Sequence, residues 1–461
     1  MVAKEKIYRE YDIRGVVGED FDANFAYELG RAFAELMRQR LGDGVYEVAV
    51  GRDCRLSGEE LGTRLIEGLC DAGMDVVFTG MGPTPQLYYS VFALGTKAGI
   101  QITGSHNPAD QNGFKMMIGE LTLSGADIQL LKKLVNTRRA NSYNGPGGGC
   151  RELDMTSTYV SELIERSKPH MGQRKLRVVV DAGNGVGGLC GPDVLRGLGC
   201  EVIELYTEAD GSFPNHHPDP TVLENIAEMR ERVVSERADL GIAWDGDADR
   251  IGVVDENGAV IYGDMLLILY GRQLLKEVKK PIIIADVKCS EVLFSTLRNE
   301  GAEAVMWKTG HSLIKGKLRE LNAHLAGEMS GHVFFKHRYY GFDDAIHASA
   351  RLVEILSNSD KSLGTLLGDI PHMVSTPEIR VDCIEEQKFK IVDIMKSAFS
   401  EYTVNTLDGV RVTFPSGWGL VRASNTQPVL VMRFEADSAE HLDEYRKIVE
   451  SRLEQAVKEL G

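Results

Sequence analysis

The chain has 461 residues, of which 43% are hydrophobic and 26% charged, and its formal net charge is -16. This length exceeds what one hydrophobic core organises, so about three or four domains are expected. The 68 acidic and 52 basic residues give a field that repels polyanions, which argues against a nucleic acid or an anionic membrane as the partner. We find no secretory leader, no lipidation signal and no apolar run of about 18 residues. The seven cysteines form no C-x-x-C pair. We therefore expect a soluble cytoplasmic protein with reduced thiols, and we favour a monomer.

The first 368 residues alternate between apolar strand patterns and helical periodicities, which predicts parallel or mixed sheets. A polar, glycine-rich link at 141–149 separates the first cycle of alternation from the second. The predicted strands are 47–51, 75–78, 98–102, 175–181, 201–205, 240–244, 281–287, 302–307 and 324–327. The predicted helices are 58–73, 85–94, 188–198, 223–236, 262–278 and 312–321. Three consecutive α/β domains with mixed sheets follow from this pattern.

The chain beyond residue 371 has a different pattern, which predicts a smaller α+β domain. Its strands would form an antiparallel sheet flanked by two helices. The predicted strands are 378–381, 410–414, 419–423 and 429–436, and the predicted helices are 385–399 and 440–460. The stretch 370–372, Ile-Pro-His, is a candidate hinge. We expect domains at 1–150, 151–253, 254–368 and 369–461.

The segment Ile-Thr-Gly-Ser-His-Asn-Pro, from Ile102 to Pro108, carries a serine on a tight glycine turn directly after an apolar strand. Ligands of open α/β sheets bind at the carboxyl ends of the strands. This position therefore places Ser105, with His106 beside it, where chemistry can occur. A plain turn is the alternative, because Ser, Asn and Pro are common in any loop. The other motifs of the chain favour the catalytic interpretation.

Three aspartates, Asp245, Asp247 and Asp249, follow another predicted strand at alternate positions. Their oxygens suit a hard divalent cation such as Mg²⁺, and their mutual repulsion is hard to explain without one. An exposed acidic loop is the structural alternative. A calcium loop is excluded because Arg250 occupies the sixth place, where glycine is required. A phosphatase that used Asp245 or Asp247 as its nucleophile would leave Ser105 without a task.

Two later loops carry polar groups that suit a phosphorylated sugar. A carboxylate in the first can accept hydrogen bonds from two adjacent hydroxyl groups. A guanidinium, hydroxyls and backbone N–H groups in the second suit a phosphate. These residues are Glu328, Ser330 and His332 in the first loop and Arg422, Ser424, Asn425 and Thr426 in the second. A phosphate ester also needs a local basic pocket, and the candidates, each predicted in or beside a loop at a strand end, are Arg14, Lys115, Arg250, Lys288 and Arg422.

Together these motifs resemble the α-D-phosphohexomutase family, and within it the bacterial phosphomannomutase/phosphoglucomutase group. The segment from Glu10 to Gly15, Glu-Tyr-Asp-Ile-Arg-Gly, is similar to the family's N-terminal signature, and the four loops occur in the family's order. The resemblance implies four domains around a central cleft. It also implies that Ser105 carries a phosphoryl group and, with the three aspartates, binds Mg²⁺.

The resemblance further implies a role for each matching residue. Sugar recognition falls to Glu328, Ser330 and His332, and phosphate binding to Arg422, Ser424, Asn425 and Thr426. Further substrate contacts are implied for Tyr11, Arg14 and Lys288, and catalytic roles for His106, Lys115, Arg250 and His311. Either Lys115 or His311 could act as the general base. Lys115 qualifies only if burial or cationic neighbours, such as Arg250, lower its pKa.

The implied reaction is a reversible phosphoryl transfer between the 1- and 6-positions of mannose or glucose phosphates. It would proceed through phosphoserine and a hexose 1,6-bisphosphate, which also serves as activator, and it would use one Mg²⁺. A phosphoglucosamine mutase is the alternative within the family. A Mg²⁺-dependent sugar phosphatase and a phosphosugar-binding module are alternatives of other classes. A binding module would need neither the aspartates nor Ser105, and a phosphatase would not need a fourth domain that holds a bisphosphate.

Overall fold

The computed structural model describes residues 3–136, 143, 145–385, 387–424 and 428–460. Within these ranges four sheets follow one another along the chain, with seven, five, four and six strands. The first three contain parallel and antiparallel pairs, and all pairs of the fourth are antiparallel. The predicted class, three α/β units followed by an α+β unit, is confirmed. Among the described residues, no helix has the length and apolarity that crossing a membrane requires.

The first unit is built on the seven-stranded sheet. Its elements are β1 (Ile13–Val16), α1 (Ala23–Leu41), β2 (Glu47–Arg52), α2 (Gly58–Asp71), β3 (Asp75–Met81), α3 (Thr84–Leu94), β4 (Ala98–Ile102), β5 (Gln111–Ile118), β6 (Leu121–Thr122), α4 (Ala126–Asn136) and β7 (Cys150–Glu152). The strand order is β1-β5-β4-β2-β3-β7, with β6 beside β5. Every residue of β4 is buried, as expected for a central strand covered on both faces.

The second unit contains a five-stranded sheet of order β12-β11-β10-β8-β9. Its elements are α5 (Thr156–Ser167), β8 (Arg177–Asp181), α6 (Gly191–Gly197), β9 (Glu201–Leu205), α7 (Ala227–Ser235), β10 (Leu240–Trp244), β11 (Ile251–Asp255) and β12 (Val260–Ile261). The strand β10 is buried throughout and pairs parallel with β8 and antiparallel with β11. The loop between β10 and β11 is the predicted aspartate loop.

The third unit shares its hydrophobic core with the second. Its elements are α8 (Gly263–Glu277), β13 (Ile282–Asp286), α9 (Glu291–Asn299), β14 (Glu303–Trp307), α10 (His311–Glu320), β15 (Leu325–Gly327), β16 (Val333–Phe335), α11 (Ala345–Ser357) and α12 (Leu363–Leu366). The strand order is β14-β13-β15-β16. The side chain of Asp344 caps α11, and this helix packs against α5 and α6 of the second unit.

The fourth unit is the predicted antiparallel sheet with two helices. Its elements are β17 (Val374–Ser375), β18 (Ile379–Asp382), α13 (Lys388–Ser397), β19 (Thr403–Asn405), β20 (Val410–Phe414), β21 (Gly417–Ala423), β22 (Val429–Ala436) and α14 (Ala439–Glu459). The order is β17-β22-β21-β20-β19, with β18 also paired to β22. A separate core joins this sheet to both helices.

The carboxyl ends of four strands lead into the four predicted loops. Ser105 follows β4, Asp245 follows β10, Glu328 follows β15 and Ser424 follows β21. Arg14 and Arg422 lie next to the ends of β1 and β21, beside loops as predicted, whereas Lys115 lies in the middle of β5 and not in or beside a loop. The strand β5 itself was not predicted.

A buried arginine that the sequence did not single out fixes the loop of Ser105. The side chain of Arg55, just after β2, has no exposed surface and donates hydrogen bonds to four carbonyl groups of this loop. The acceptors, at 2.5 to 2.8 Å, are Ser105, Asn107, Pro108 and Gln111. Its Nε lies 3.1 Å from Oδ2 of Asp53, which also accepts from Oγ1 of Thr103 at 2.7 Å. The loop therefore depends on one buried cation.

Replacing Arg55 with lysine tests this dependence. A lysine keeps the charge but cannot reach four carbonyl groups with one ammonium group. Losing two charge-assisted hydrogen bonds costs about 3 kcal/mol or more. We expect Arg55→Lys to lower the melting temperature and to speed amide hydrogen exchange in residues 103–113. The control Arg64→Lys changes an ion pair on a partly exposed face of α2 and should alter neither quantity. Unchanged exchange in Arg55→Lys would contradict this role.

Candidate active site

Ser105 points its hydroxyl group from the first unit towards the second. Its backbone φ is +49°, which is uncommon outside glycine, and the residue is 2% exposed. Its Oγ donates to Oδ2 of Asp245 at 2.7 Å and lies 3.1 Å from Nδ1 of His106. The sequence-predicted serine, histidine and first aspartate are thus in direct contact.

The three predicted aspartates form a compact group of buried carboxylates. Oxygen atoms of Asp245, Asp247 and Asp249 lie within 4.8 Å of one another. Oδ1 of Asp247 and Oδ1 of Asp249 are buried and have no hydrogen-bond partner within the described parts of the chain. Burial, together with the charges of its two neighbours, raises the pKa of Asp245 well above its usual value. An all-oxygen set with unsatisfied atoms fits a hard cation such as Mg²⁺.

Lys115 reaches this group from the middle of β5. Its Nζ lies 2.6 Å from Oδ2 of Asp247 and 2.5 Å from Oδ2 of Asp249. Burial lowers the pKa of Lys115, but the two aspartates more than offset that effect and raise the pKa above its ordinary value. In this arrangement Lys115 is a cation that neutralises the carboxylates. A general base would need a lowered pKa, so Lys115 does not meet the condition set by the sequence analysis. The cation that opposes the rise in the pKa of Lys115 is Arg14, not Arg250 as expected.

The predicted sugar loop meets the aspartate loop through His332. Nδ1 of His332 lies 2.6 Å from Oε2 of Glu328, and its Nε2 lies 3.2 Å from Oδ1 of Asp249. Burial lowers the pKa of His332, but Asp249 and Glu328 raise it to about 9. Oε1 of Glu328 accepts from the backbone of Gly310 at 2.7 Å. An isolated β-bridge between Arg250 and His332 joins the two loops.

His311 is the first residue of α10 and lies beside His332. The two rings stack with centroids 5.7 Å apart, and Tyr11 packs edge-on against His311 at 5.6 Å. The hydroxyl of Tyr11 donates to the carbonyl of Thr309 at 2.9 Å. Burial and the neighbouring Lys315 lower the pKa of His311. His311 is therefore a neutral imidazole beside His332, which itself contacts the aspartate loop.

The predicted phosphate loop contacts the third unit. Nε of Arg422 donates to Oδ2 of Asp408 at 3.1 Å, and the same oxygen accepts from the backbone of Thr309 at 3.0 Å. Nζ of Lys288 donates to Oε2 of Glu378 at 3.3 Å. Both predicted basic residues are thus engaged by carboxylates of the fourth unit. Asp408 was not predicted, because no sequence signal links it to Arg422 or Thr309.

The remaining predicted residues are placed as follows. Arg14 donates to Asp12 at 2.6 Å and to Asn107 in the Ser105 loop at 3.0 Å. Ser330 is half-buried in the sugar loop, and Ser424 is buried after β21. Asn425 and Thr426 lie outside the described residues.

Sequence models of all four domains of one family match the chain in order. The phosphoglucomutase/phosphomannomutase alpha/beta/alpha domain I matches residues 5–142, domain II matches 157–258 and domain III matches 262–374. The C-terminal domain of the same family matches 378–451.

Proteins similar over nearly the whole chain come from several bacteria. A phosphomannomutase/phosphoglucomutase of Pseudomonas aeruginosa is 47% identical over 97% of this chain and 95% of its own length. A phosphoglucomutase of Neisseria gonorrhoeae is 42% identical, over 96% of this chain and 97% of its own.

The solved structures agree with this result. The crystal structure of a phosphoglucomutase/phosphomannomutase family protein from Burkholderia thailandensis has a TM-score of 0.90 and 42% identity, covering 99% of this chain and 98% of its own. An N-acetylphosphoglucosamine mutase of Aspergillus fumigatus, with a TM-score of 0.59 and 15% identity over 81% of this chain and 93% of its own, shares the fold alone. The resemblance seen in the sequence is confirmed, and the chain belongs to the phosphoglucomutase/phosphomannomutase family of α-D-phosphohexomutases.

Proposed function

We propose that this protein interconverts the 1- and 6-phosphates of glucose and mannose by way of a phosphorylated Ser105. The observation that carries the proposal is the contact of the Ser105 hydroxyl with Asp245 at 2.7 Å, inside a group of three buried carboxylates. The names of the similar bacterial proteins, which refer to both sugars, support it. The alternative, a phosphoglucosamine mutase, finds support only in relatives whose likeness is limited to the fold.

The reaction would consist of two phosphoryl transfers that conserve phosphate. Phosphoserine 105 gives its phosphoryl group to the free hydroxyl of a hexose 1- or 6-phosphate, and the hydroxyl proton leaves to a base. The resulting 1,6-bisphosphate turns over and returns its other phosphoryl group to Ser105, whose Oγ re-forms the phosphoester. Asp245, Asp247 and Asp249, together with Ser105, would hold one Mg²⁺, which would neutralise charge on the transferred group.

Several side chains could take the hydroxyl proton. Lys115 remains a candidate only if substrate binding weakens its two ion pairs, because both aspartates hold it protonated. His311 is buried and neutral, and it stacks on His332. His106 lies against Ser105 and, with Arg250, would orient the phosphoryl group. We therefore favour His311 over Lys115 as the proton acceptor of the two.

Substrate binding would involve all four units. We assign the sugar to Glu328, Ser330 and His332, one phosphate to Arg422, Ser424, Asn425 and Thr426, and further contacts to Tyr11, Arg14 and Lys288. A hexose 1,6-bisphosphate would act as activator by restoring phosphate to Ser105. We also propose domain boundaries near residues 150, 253 and 368, and a cytoplasmic monomer, a location that the seven unpaired cysteines support.

A coupled assay with glucose 1-phosphate and mannose 1-phosphate tests the proposal. With Mg²⁺ and a trace of bisphosphate, both substrates should give their 6-phosphates. Because these sugars differ only at C2, we expect rates within about a thousandfold, or about 4 kcal/mol. Ser105→Ala should lose nearly all turnover while remaining folded, and Ser295→Ala, an exposed helix position, should lose none. Inorganic phosphate as the main product would contradict a mutase.

Removing one aspartate tests the metal site. Loss of a residue that only supports a metal ligand weakens metal binding about 10- to 100-fold. Because Asp247 would itself be a ligand, we expect Asp247→Asn to weaken Mg²⁺ binding by more than this, as measured by calorimetry. Its circular dichroism should stay that of the wild type. Asp219→Asn, in a neighbouring loop that contacts Gly246 through Pro218, is the matched control and should bind Mg²⁺ normally. Full activity of the wild type in excess chelator would refute the metal requirement.

Arg422→Ala tests the phosphate loop. Loss of a charge-assisted contact of about 1.5 to 3 kcal/mol should raise KM about 10- to 150-fold, and bisphosphate should escape into solution during turnover. Asp408→Asn should show a weaker form of both effects, because Asp408 holds the guanidinium in place. Adding Asp408→Asn to Arg422→Ala should change little more. Chromatography of free bisphosphate decides the matter, and an unchanged KM without leakage would remove Arg422 from this role.

A further inference from the structure

A buried aspartate that no sequence motif singled out faces the imidazole of His311. Asp343 lies just before α11, has no exposed surface and forms an isolated β-bridge with Phe334 of β16. Its Oδ2 lies 3.3 Å from Nδ1 of His311. Within the described residues neither atom has another hydrogen-bond partner. Because buried polar atoms are almost always paired, each of these two atoms is the partner of the other.

Lys315 binds the other oxygen of Asp343. Its Nζ donates to Oδ1 at 2.8 Å and lies 4.5 Å from the centre of the Tyr88 ring. Lys315 follows His311 by one turn of α10, so both side chains lie on the same face of that helix. Because the ammonium group holds Oδ1, the carboxylate keeps Oδ2 directed at the imidazole. Asp343 thus bridges two side chains of one helix and has a fixed orientation.

This arrangement selects one form of the neutral imidazole. An ionised carboxylate only accepts hydrogen bonds, so Nδ1 of His311 carries the proton that it shares with Oδ2 of Asp343. The nitrogen without a proton is then Nε2, which is the atom able to accept one. Nδ1 is among the buried unpaired atoms of the described residues, whereas Nε2 is not. Nε2 is therefore the nitrogen that a substrate can reach.

Charged and titratable groups face His311 from several elements. They are Lys315 on the same helix, His332 in the turn between β15 and β16, Asp343 before α11 and Tyr11 before β1. Burial and Lys315 lower the pKa of His311, and Asp343 opposes them. His332, whose own pKa is raised to about 9, lowers the pKa of His311 further. The imidazole is therefore neutral near neutral pH, and it has a carboxylate beside it when it takes a proton.

We propose that Asp343 is a positioning residue for proton transfer, which holds His311 with its proton on Nδ1 so that Nε2 can take the hydroxyl proton of the sugar. This inference rests on the proposed function, in which His311 is the proton acceptor. The proton leaves the hydroxyl as its oxygen bonds to phosphorus, and Nε2 returns it to the sugar oxygen that the second transfer frees. Asp343 stays ionised and stabilises the imidazolium. Contacts of this kind are often long without substrate and shorten when it binds.

Nuclear magnetic resonance of protein with ¹⁵N-labelled histidine tests the position of this proton without relying on turnover. The variant His311→Gln identifies the signals of His311. Near neutral pH we expect the wild type to hold a neutral His311 with its proton on Nδ1. In Asp343→Asn, Lys315 keeps the side-chain oxygen, so the amide group donates to Nδ1 and the ring proton moves to Nε2. A wild type with the proton on Nε2 would overturn the proposal, whether or not the protein is a mutase.

Steady-state kinetics of two neighbouring variants separate positioning from stability. Asp343→Asn should lower kcat about a hundredfold or more, because the proton acceptor is lost, and should change KM little.

The matched control is Asp344→Asn, which removes the next carboxylate in the chain. Asp344 accepts hydrogen bonds from Tyr159 and Tyr339 and caps α11. Its loss should lower the melting temperature and leave the proton of His311 on Nδ1. An active wild type whose kcat is unchanged in Asp343→Asn would overturn this proposal and leave the proposed function intact. A wild type without mutase activity would instead refute the proposed function. If Asp343→Asn does not fold, the wild-type spectrum decides alone.

Discussion

The repulsion among three buried carboxylates is the constraint on which the rest of this structure depends. Oxygens of Asp245, Asp247 and Asp249 lie within 4.8 Å of one another, and such charges persist in a protein interior only when cations and hydrogen-bond donors compensate them. The compensation comes from other units. Lys115 of the first unit pairs with two of them, and His332 of the third contacts Asp249. The electrostatics of one loop thus hold three units together.

The same constraint gives Ser105 its surroundings. Its hydroxyl is one more donor to the group, through Asp245, and the carbonyl groups of its loop bind the buried Arg55. The loop is fixed on both sides, by a cation behind it and by carboxylates in front. In the role that we propose for Ser105, a side chain held in this way would need little reorganisation before transfer, which is the main contribution that a protein makes to phosphoryl-transfer chemistry.

The fourth unit is joined to this centre less directly. Asp408 binds both Arg422 and the backbone of Thr309, two residues before His311. Through Asp408, the predicted phosphate loop is therefore coupled to residues 309–311. This segment includes Gly310, whose backbone N–H donates to Glu328, and His311.

Much of this site could be predicted from the sequence, because four of its loops follow apolar strands and carry unusual sets of polar residues. The sequence could not show what distant segments supply. The strand β5 contains Gln111, Asn112 and Lys115, so its sequence does not resemble a buried strand. The charge of Lys115 can be buried only because aspartates of another unit form ion pairs with it. Asp408 escaped notice for the same reason.

Arg55 was missed because only Asp53 is a nearby partner in the chain, and the carbonyl groups that accept from its guanidinium lie 50 or more residues away. The helices α1, α4, α5, α9, α11 and α12 were also missed. Nearly every residue of α11 is buried, because this helix packs against α5 and α6 of another unit, a contact that the sequence does not reveal.

Transfer of labelled phosphate from Ser105 tests the central claim most directly. Protein carrying radioactive phosphate on Ser105 is mixed with unlabelled glucose 1-phosphate and Mg²⁺, and the products are separated by chromatography. The account predicts that the label moves to glucose bisphosphate and glucose 6-phosphate within the time of a few turnovers. Label that is released as inorganic phosphate, or that stays on the protein while product accumulates, would contradict it.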